Sequence, residues 1–409
     1  MARARAEPHD GRPSARPSYA GSVHDCLAVC PPGLEQLLTD EWRELRLRPG
    51  SPVNGGVPFR ATDRELYLAN TWSRLATRVI VRMGTFVARS FADLERRAVE
   101  LPWAAYLPSH MTPVFRVSAV KSKLYHTDAI AERLHRVCGT TQAPIDHLAS
   151  DIDTTRSQLF VVRVVHDKIT ISVDSSGDSL HRRGWRQQVA KAPLRETLAA
   201  AMVRASGWGF DMPLLDPLCG SGTIAIEAAL AASGRAPGEA RTFAFQRWPT
   251  FQPGTWASVN AGVRAAAALS GDAARRRAVA PIAAADRDEG AVRAATANAE
   301  RAGVTDLVDI RHGALSHTVG SVRAGRPGLL LTNPPYGERV GAHRDLRDLY
   351  AALGASVRDG LPGWSLGMLV ADRVLAAQAR LPLTEQFATT NGGIDVSFLT
   401  YTPSDHLGE

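Results

Sequence analysis

The tetrapeptide Asn333-Pro334-Pro335-Tyr336 follows the apolar run Leu329-Leu330-Leu331, where a buried parallel strand would end. Each proline fixes its own φ and restricts the residue before it, so a carboxamide and an aromatic ring are held side by side. Such a pair can hold a flat base. The chemistry suited to it is methylation of an exocyclic amino group on a nucleobase, whose lone pair is delocalised into the ring and must be drawn out before it attacks. The Asn333 side-chain oxygen and the Pro334 carbonyl can accept the two N–H bonds of that amine while Tyr336 stacks on the ring. A plain Pro-Pro turn after a core strand is the alternative, and the residues upstream weigh between them.

Leu214-Leu215 leads into Asp216-Pro217-Leu218-Cys219-Gly220-Ser221-Gly222-Thr223, a pattern of strand, tight glycine loop and helix from Ile224. Glycines let a ligand approach the backbone, and a helix N-terminus offers free N–H groups to an anion. A P-loop is excluded, because Thr223-Ile224 follows Gly222 where a Lys-Ser or Lys-Thr pair is required. A nicotinamide dinucleotide is harder to dismiss, since Gly220, Gly222 and Ala225 satisfy its fingerprint. Its ribose-binding acid belongs about 20 residues further on. The next strand ending in an acid is Ile282-Ala283-Ala284-Ala285-Asp286, and 286 minus 222 is 64. S-adenosylmethionine fits better. It has no phosphate, and it needs a loop (Cys219, Gly220, Gly222, Thr223) for its carboxylate, an acid near its ammonium and sulfonium (Asp216) and another for its ribose (Asp286).

Asp216, Asp286 and Asn333 each follow a predicted strand, and strand carboxyl ends in an open parallel sheet line one crevice, so the three are expected to meet. Asp288 is the reserve candidate for the ribose. The alternative is that Asp286-Arg287-Asp288 only caps a helix from Gly290 to Ala302. Further helices are predicted from Pro193 to Ala205 and from Asp345 to Val357, with strands over Leu366 to Val370 and Ile394 to Tyr401. The Asn391-Gly392-Gly393 turn before the last strand suggests a closing antiparallel hairpin.

The first half shows no catalytic constellation. Strands are expected at Cys26 to Val29, Val57 to Phe59, Thr77 to Met83 and Val114 to Val120, and a hairpin about His166-Asp167 joins Leu159 to Val165 with Lys168 to Val173. Helices are expected from Leu34, over Asp63 to Trp72, over Phe91 to Leu101 and over Asp128 to Val137. Lys121 and Lys123, just after a strand, are candidates to grip phosphates, or are simply solvated. The densest basic and aromatic cluster runs from Ser179 to Arg186. Its Arg182, Arg183 and Arg186 beside Trp185 suit a nucleic acid; equally, Trp185 can pack between domains with the arginines facing water.

Composition sets bounds on these readings. The 409 residues allow two or three domains, and a net charge of +7 suits a polyanionic partner, although an Arg-rich, Ala-rich chain is basic for other reasons too. Four cysteines are too few and too scattered for a disulfide framework or an all-cysteine zinc site, so reduced thiols in a cytoplasmic protein without metal are expected. No apolar run approaches the ~18 to 20 residues of a membrane span. Residues 1–22, rich in Arg, Pro, Ala and Ser without an apolar core, read as a disordered basic arm.

From about His24 to Tyr401 the chain resembles the bacterial THUMP-domain RNA guanine-N2 methyltransferases, most closely the branch that modifies 23S ribosomal RNA. The likeness rests on Asp174-Ser175-Ser176-Gly177 with Leu180-His181-Arg182-Arg183-Gly184, on Ala192-Pro193-Leu194-Arg195-Glu196-Thr197-Leu198, on the Asp216 to Thr223 loop, and on Asn333-Pro334-Pro335-Tyr336-Gly337-Glu338-Arg339. Residues 236–256, with Ala236-Pro237-Gly238, Arg241, Phe245, Trp248 and Trp256, look like an insertion of the ribosomal branch. The resemblance implies an α/β fold, with a Rossmann-like class I methyltransferase domain (193–404) of mostly parallel sheet. Before it come an α+β ferredoxin-like domain (23–84), a THUMP RNA-binding domain (85–176) and a linker (177–192).

It also implies S-adenosylmethionine as cofactor and RNA, ribosomal RNA foremost, as substrate for a monomeric enzyme. A transfer-RNA substrate, or a non-catalytic RNA-binding or assembly factor that keeps the fold, stands as the alternative. Adenine-N6 and cytosine-N4 methylation of DNA can use the same carboxamide geometry. Two departures from the family pattern stand out. Ala314 occupies the place of an acid expected to contact the adenine amino group, and the chain ends at Glu409 where some ribosomal relatives continue into a second methyltransferase domain, so one activity is expected.

Overall fold

Strands that alternate apolar and polar residues in the first half, and nearly continuous apolar strands in the second, build two sheets over a shared core. The structure, a computed structural model, describes residues 23–140, 153–187, 194–270, 279–321, 326–336 and 343–403. The basic arm, Pro193 and Gly337-Glu338-Arg339 lie outside the described residues.

The first sheet contains β1 (His24–Val29), β2 (Gly56–Ala61), β3 (Arg78–Val87), β4 (Thr112–Val120), β5 (Ser157–Val165) and β6 (Lys168–Asp174), ordered β2-β1-β3-β6-β5-β4. β3 is its hinge-piece, pairing Val81 with Cys26 of β1 and Phe86 with Ile169 of β6. The expected boundary between residues 84 and 85 therefore falls inside one unbroken strand, and the ferredoxin-like and following segments share a single sheet. His166 and Asp167 both take positive φ, 50° and 62°, the conformation a two-residue hairpin turn needs. Helix Asp63–Trp72 starts on a capping box in which Thr62 and Glu65 satisfy each other's backbone N–H groups. Its Leu66, with Leu38, Trp42, Leu94 and Ile130 of the other helices, joins the core that contains Val79, Val162 and Ile171.

The second sheet contains β7 (Leu214–Asp216), β8 (Ile282–Asp286), β9 (Val308–His312), β10 (Leu329–Thr332), β11 (Ser365–Val370), β12 (Thr384–Asn391) and β13 (Ile394–Tyr401), ordered β12-β13-β11-β10-β7-β8-β9. β7 to β11 run parallel; β13 is antiparallel to β11, and β12 to β13. Strand order reverses at β7, between β8 and β10. That is the switch point at which open α/β sheets bind ligands beyond the strand carboxyl ends.

Residues 236–256 join the two sheets. Tyr67 stacks on Phe245 at 4.3 Å, Phe245 on Phe243 at 5.2 Å, and the Tyr67 hydroxyl accepts the Gln252 N–H at 3.0 Å. Trp248 Nε1 donates to Gln158 Oε1 at 2.9 Å. Gly238 donates its N–H to Thr71 O at 2.9 Å, and a Cβ at Gly238 would stand 2.8 Å from that oxygen. The Asp174-Ser175-Ser176-Gly177 motif is a second fastening. Ser175 O accepts the Phe245 N–H at 3.1 Å and Ser176 O accepts from Arg241 at 3.3 Å, while within the first half Ser175 Oγ donates to Val79 O, Ser176 Oγ to Asn70 Oδ1, and Arg78 pairs with Asp174 at 2.7 Å.

Candidate active site

β7 ends in Asp216, which is 1% exposed. Its Oδ1 accepts from the Thr332 hydroxyl at 2.9 Å and the Leu218 N–H at 3.3 Å. The first of these bonds ties the end of β7 to the last residue of β10, immediately before Asn333. Asp286 closes β8; its Oδ2 accepts the Gly220 N–H and its Oδ1 the Asp288 N–H, both at 2.9 Å. The ends of β7, β8 and β10 thus converge as their sequence positions require. Burial pushes the Asp216 carboxyl up to about 7, helped by the Asp286 charge and opposed by its two hydrogen bonds.

Gly220 and Gly222 take left-handed φ values of 51° and 82°. Nothing lies within 4 Å of where a Gly220 Cβ would stand, whereas at Gly222 it would meet Ala295 Cβ at 3.0 Å. One glycine keeps the crevice open, and the other lets the loop lie against the neighbouring helix.

The loop N–H groups depart from expectation. Cys219 donates to Ala285 O at 2.9 Å, Gly222 to Cys219 O at 2.8 Å, and Gly220 to Asp286, so these donors fasten the loop itself. What remains for a ligand carboxylate is the first turn of helix Thr223–Ala232, whose N–H groups have no partner within the helix. Burial pushes the Cys219 thiol far above its ordinary range, so it stays neutral. Asp288 caps helix Glu289–Ala302, accepting from Gly290 and Ala291, and leaves Asp286 as the acid at the strand end. Ala314 sits at the N-cap of helix Leu315–Gly320, where a side-chain acceptor is missing.

On the other side of the switch point, Asn333 Oδ1 accepts from the Tyr336 hydroxyl at 2.6 Å, and that hydroxyl accepts from Asn391 Nδ2 at 3.3 Å. Burial pushes the Tyr336 phenol up to about 12, so it remains a donor. A carboxamide oxygen has two lone pairs, and one is left for a substrate N–H. Pro334 is buried and Pro335 exposed. Thr332 and Asn391 were not foreseen from the sequence. Nothing in the sequence singles out Thr332, and Asn391 reads as the first residue of a turn.

The linker arginines separate. Arg183 is 3% exposed; its Nε pairs with Glu227 Oε1 at 3.3 Å, and its Nη atoms donate to Leu180 O and Arg74 O. A guanidinium so enclosed cannot reach phosphate, which corrects the expectation. Arg186 is corrected likewise. Its side chain, 12% exposed, pairs with Glu196 at 3.2 Å and donates to Leu194 O and to the Thr223 hydroxyl at 2.5 Å. The next residue back grips the loop from its other side: Arg301 links Trp185 O to Asn298, and Asn298 Nδ2 donates to Ser221 O at 3.1 Å. Trp185 is 5% exposed and packed in the core, in line with the alternative reading, but the arginines that the same reading turned toward water do so only at Arg182. Arg182, by contrast, is exposed and lines a small cleft with Arg78 and Ser179. Lys121 and Lys123 are exposed beside the β5–β6 turn, where Lys123 N–H donates to Asp167 Oδ1 at 2.7 Å.

The buried acid, the glycine with open space at its Cβ and the helix N-terminus together fit an amino-acid-bearing nucleoside such as S-adenosylmethionine. Among the described residues, no cluster of His, Cys, Asp and Glu has metal-ligating geometry, and no helix is long and apolar enough to cross a membrane. Residues 25–80 match the RlmL ferredoxin-like domain, and residues 183–399 match the family described as RMKL-like, methyltransferase domain. The ribosomal RNA large subunit methyltransferase K/L of Vibrio cholerae is 33% identical over 391 residues, 93% of this chain and 53% of that protein; the chain spans about half the length of this relative. A possible methylase from Clostridium difficile 630 is similar at TM-score 0.81 and 28% identity, over 94% of this chain and 99% of the other. SMU.472, solved in complex with SAH, is similar at TM-score 0.78 and 26% identity, over 93% and 98%. Because the family match runs from the linker at Arg183 into the last strand and takes in the whole crevice, the chain belongs to the RMKL-like methyltransferase domain family.

Proposed function

We propose that the chain transfers a methyl group from S-adenosylmethionine to the 2-amino group of a guanine in large-subunit ribosomal RNA. The observation that carries the reading is the meeting of two bonds at one turn: Thr332 to Asp216 on the cofactor side, and Tyr336 to Asn333 on the acceptor side. SAH, the demethylated cofactor, in SMU.472 supports the donor. The name of the Vibrio cholerae relative supports the substrate class.

When bound, S-adenosylmethionine supplies an electrophilic methyl group. Asp216 would hold its ammonium, Asp286 its ribose, and the first turn of helix Thr223–Ala232 its carboxylate. Asn333 Oδ1 and the Pro334 carbonyl accept the two N–H bonds of the amine and aim its lone pair. The Tyr336 hydroxyl holds the carboxamide in place and its ring offers a stacking surface. Swinging a base out of its stack costs on the order of a few kcal/mol, and one aromatic contact returns roughly 1 to 3 kcal/mol, so contacts elsewhere on the RNA must supply the remainder. Most of the acceleration comes from orientation, for which roughly 7 to 11 kcal/mol is available. No strong base is required before attack, since the proton leaves afterwards.

Asn333→Ala should lower methyl transfer by about a hundredfold or more while cofactor affinity, read by calorimetry, changes by no more than about twofold. Full activity in that variant would remove the mechanism. Digestion of methylated RNA to nucleosides identifies the base: N2-methylguanosine is expected, and N6-methyladenosine would overturn guanine.

A further inference from the structure

The first sheet buries the face that bears Val79, Phe160 and Ile171; the other face is buried at the linker end, by Ile80, Leu159, Ser172 and Asp174, and exposed from Arg116 and Arg163 to Lys168. On the exposed face, strand register sets three cations on a diagonal. Arg116 of β4 lies beside Val161 of β5; Arg163, two residues along β5, lies beside Thr170 of β6; and Lys168 is two residues beyond Thr170. Steps of two keep all three on one face, and each diagonal step spans about 7–8 Å. The Thr85 and Thr170 hydroxyls, 3.2 Å apart and exposed, mark the same face from β3.

Both ends of this stripe continue. At one end, Lys168 follows the His166-Asp167 turn, and the segment that carries the exposed Lys121 and Lys123 is tied to that turn: Val120 O accepts the His166 N–H, Ser122 Oγ accepts the Asp167 N–H, and the Lys123 N–H donates to Asp167 Oδ1. Val87 and Val165 flank Lys168 in register and Val120 lies beside Val165; at 59%, 37% and 54% exposed, respectively, they form an apolar patch on which a base or sugar can rest. At the other end, Arg78 and Arg182 line the cleft where β6 leads into the linker. Three residues after Arg182, the linker begins its grip on the glycine loop. Three carboxylates along the way are matched, Asp174 with Arg78, Asp167 with Arg89 and Asp25 with Arg82, whereas Asp178, exposed in the cleft beside Arg182, accepts from the Thr154 hydroxyl at 3.1 Å.

We infer that this diagonal is an RNA track: phosphates lie on Lys168, Arg163 and Arg116, and the strand is led past Arg182 toward the Asn333 turn. The inference rests on the RNA reading above and adds the surface that binds it. Evenly stepped cations without free carboxylates between them, beside exposed valines, suit a polyanion that also carries apolar bases.

The test uses the full chain with Arg116→Glu, Arg163→Glu and Lys168→Glu combined, and Arg96→Glu on the helical side of the same sheet as control. Binding of a fluorescent RNA stem-loop and of deproteinised large-subunit ribosomal RNA is measured across a salt series, with a parallel S-adenosylmethionine titration by calorimetry. The triple variant should lose about tenfold or more in RNA affinity, and its dependence of log K on log salt should flatten by about 2 to 3, while the control keeps wild-type values. A milder set, the same three residues to Gln, should flatten the slope similarly and guards against misfolding of the charge-reversed protein. Unchanged affinity and slope in both sets, with wild-type protein binding RNA and cofactor, would overturn the track alone. Wild-type protein that binds cofactor but no RNA would overturn the track and the RNA substrate together. Preference for vesicles of anionic lipid over RNA would overturn the track as well.

Discussion

A single carboxamide oxygen carries most of the proposed chemistry, and the structure gives it support that side-chain spacing did not announce. Asn391 donates to Tyr336 and Tyr336 to Asn333, so the acceptor geometry depends on a residue 58 positions away (391 minus 333). The Asp216 carboxyl makes a second prediction. Its pKa in the folded chain, about 7, lies above the ordinary carboxylate value because of burial. Its contribution to stability is therefore complete at low pH and is lost as pH rises through about 7. Cofactor binding has the opposite trend, since the ammonium needs the ionised acid. Affinity should rise about tenfold from pH 6 to pH 8, read by calorimetry, and Asp216→Asn should bind weakly at both pH values. A flat profile in the unsubstituted protein would remove Asp216 from the ammonium. Much of this site was legible in the sequence, because Asp216, Asp286 and Asn333 each close an apolar run. Cys219 was misjudged because which loop N–H groups remain free depends on β8, whose Ala285 carbonyl takes the Cys219 donor.

Elements were legible where local chemistry alone specifies them. Thr62 and Glu65 start a helix by capping each other, and His166-Asp167 turns a hairpin, so both elements lie where periodicity put them. The linker was not, because Arg183 reads the same whether it faces phosphate or a buried acid. It faces Glu227, itself 1% exposed on the helix that starts at the glycine loop, with Arg74 of the first half 4.0 Å from the other carboxylate oxygen. Removing one member of such a group leaves a charge without its partner. Arg183→Ala should destabilise the chain by about 3–5 kcal/mol in urea, while Arg74→Met, Arg183→Met and Glu227→Leu combined, which leave no charge of the group without its partner, recover most of that loss. Equal loss in the single and the triple variant would show that packing rather than charge holds the linker.

Across the whole molecule, one hydrophobic cluster runs from Cys26 and Trp42 through Phe160, Trp185 and Phe245 to Phe398. The two sheets are therefore not separable beads. Thermal unfolding should be a single transition by calorimetry, and residues 194–403 expressed alone should fail to fold cooperatively; two resolved transitions would contradict a shared core. The sequence by itself determined that Asp216, Asp286 and Asn333 close strands and that an aromatic amide turn follows the last of them, because strand periodicity, glycine loops and proline stiffness act over a few neighbouring residues; the Rossmann-like catalytic half followed from the family resemblance. Only the tertiary structure decided that β3 runs unbroken across the expected domain boundary, that Arg183 and Arg186 turn inward, and that Arg116, Arg163 and Lys168 fall on one diagonal. Those outcomes depend on strand register and on which face is covered, and both are set by contacts between residues far apart in the chain.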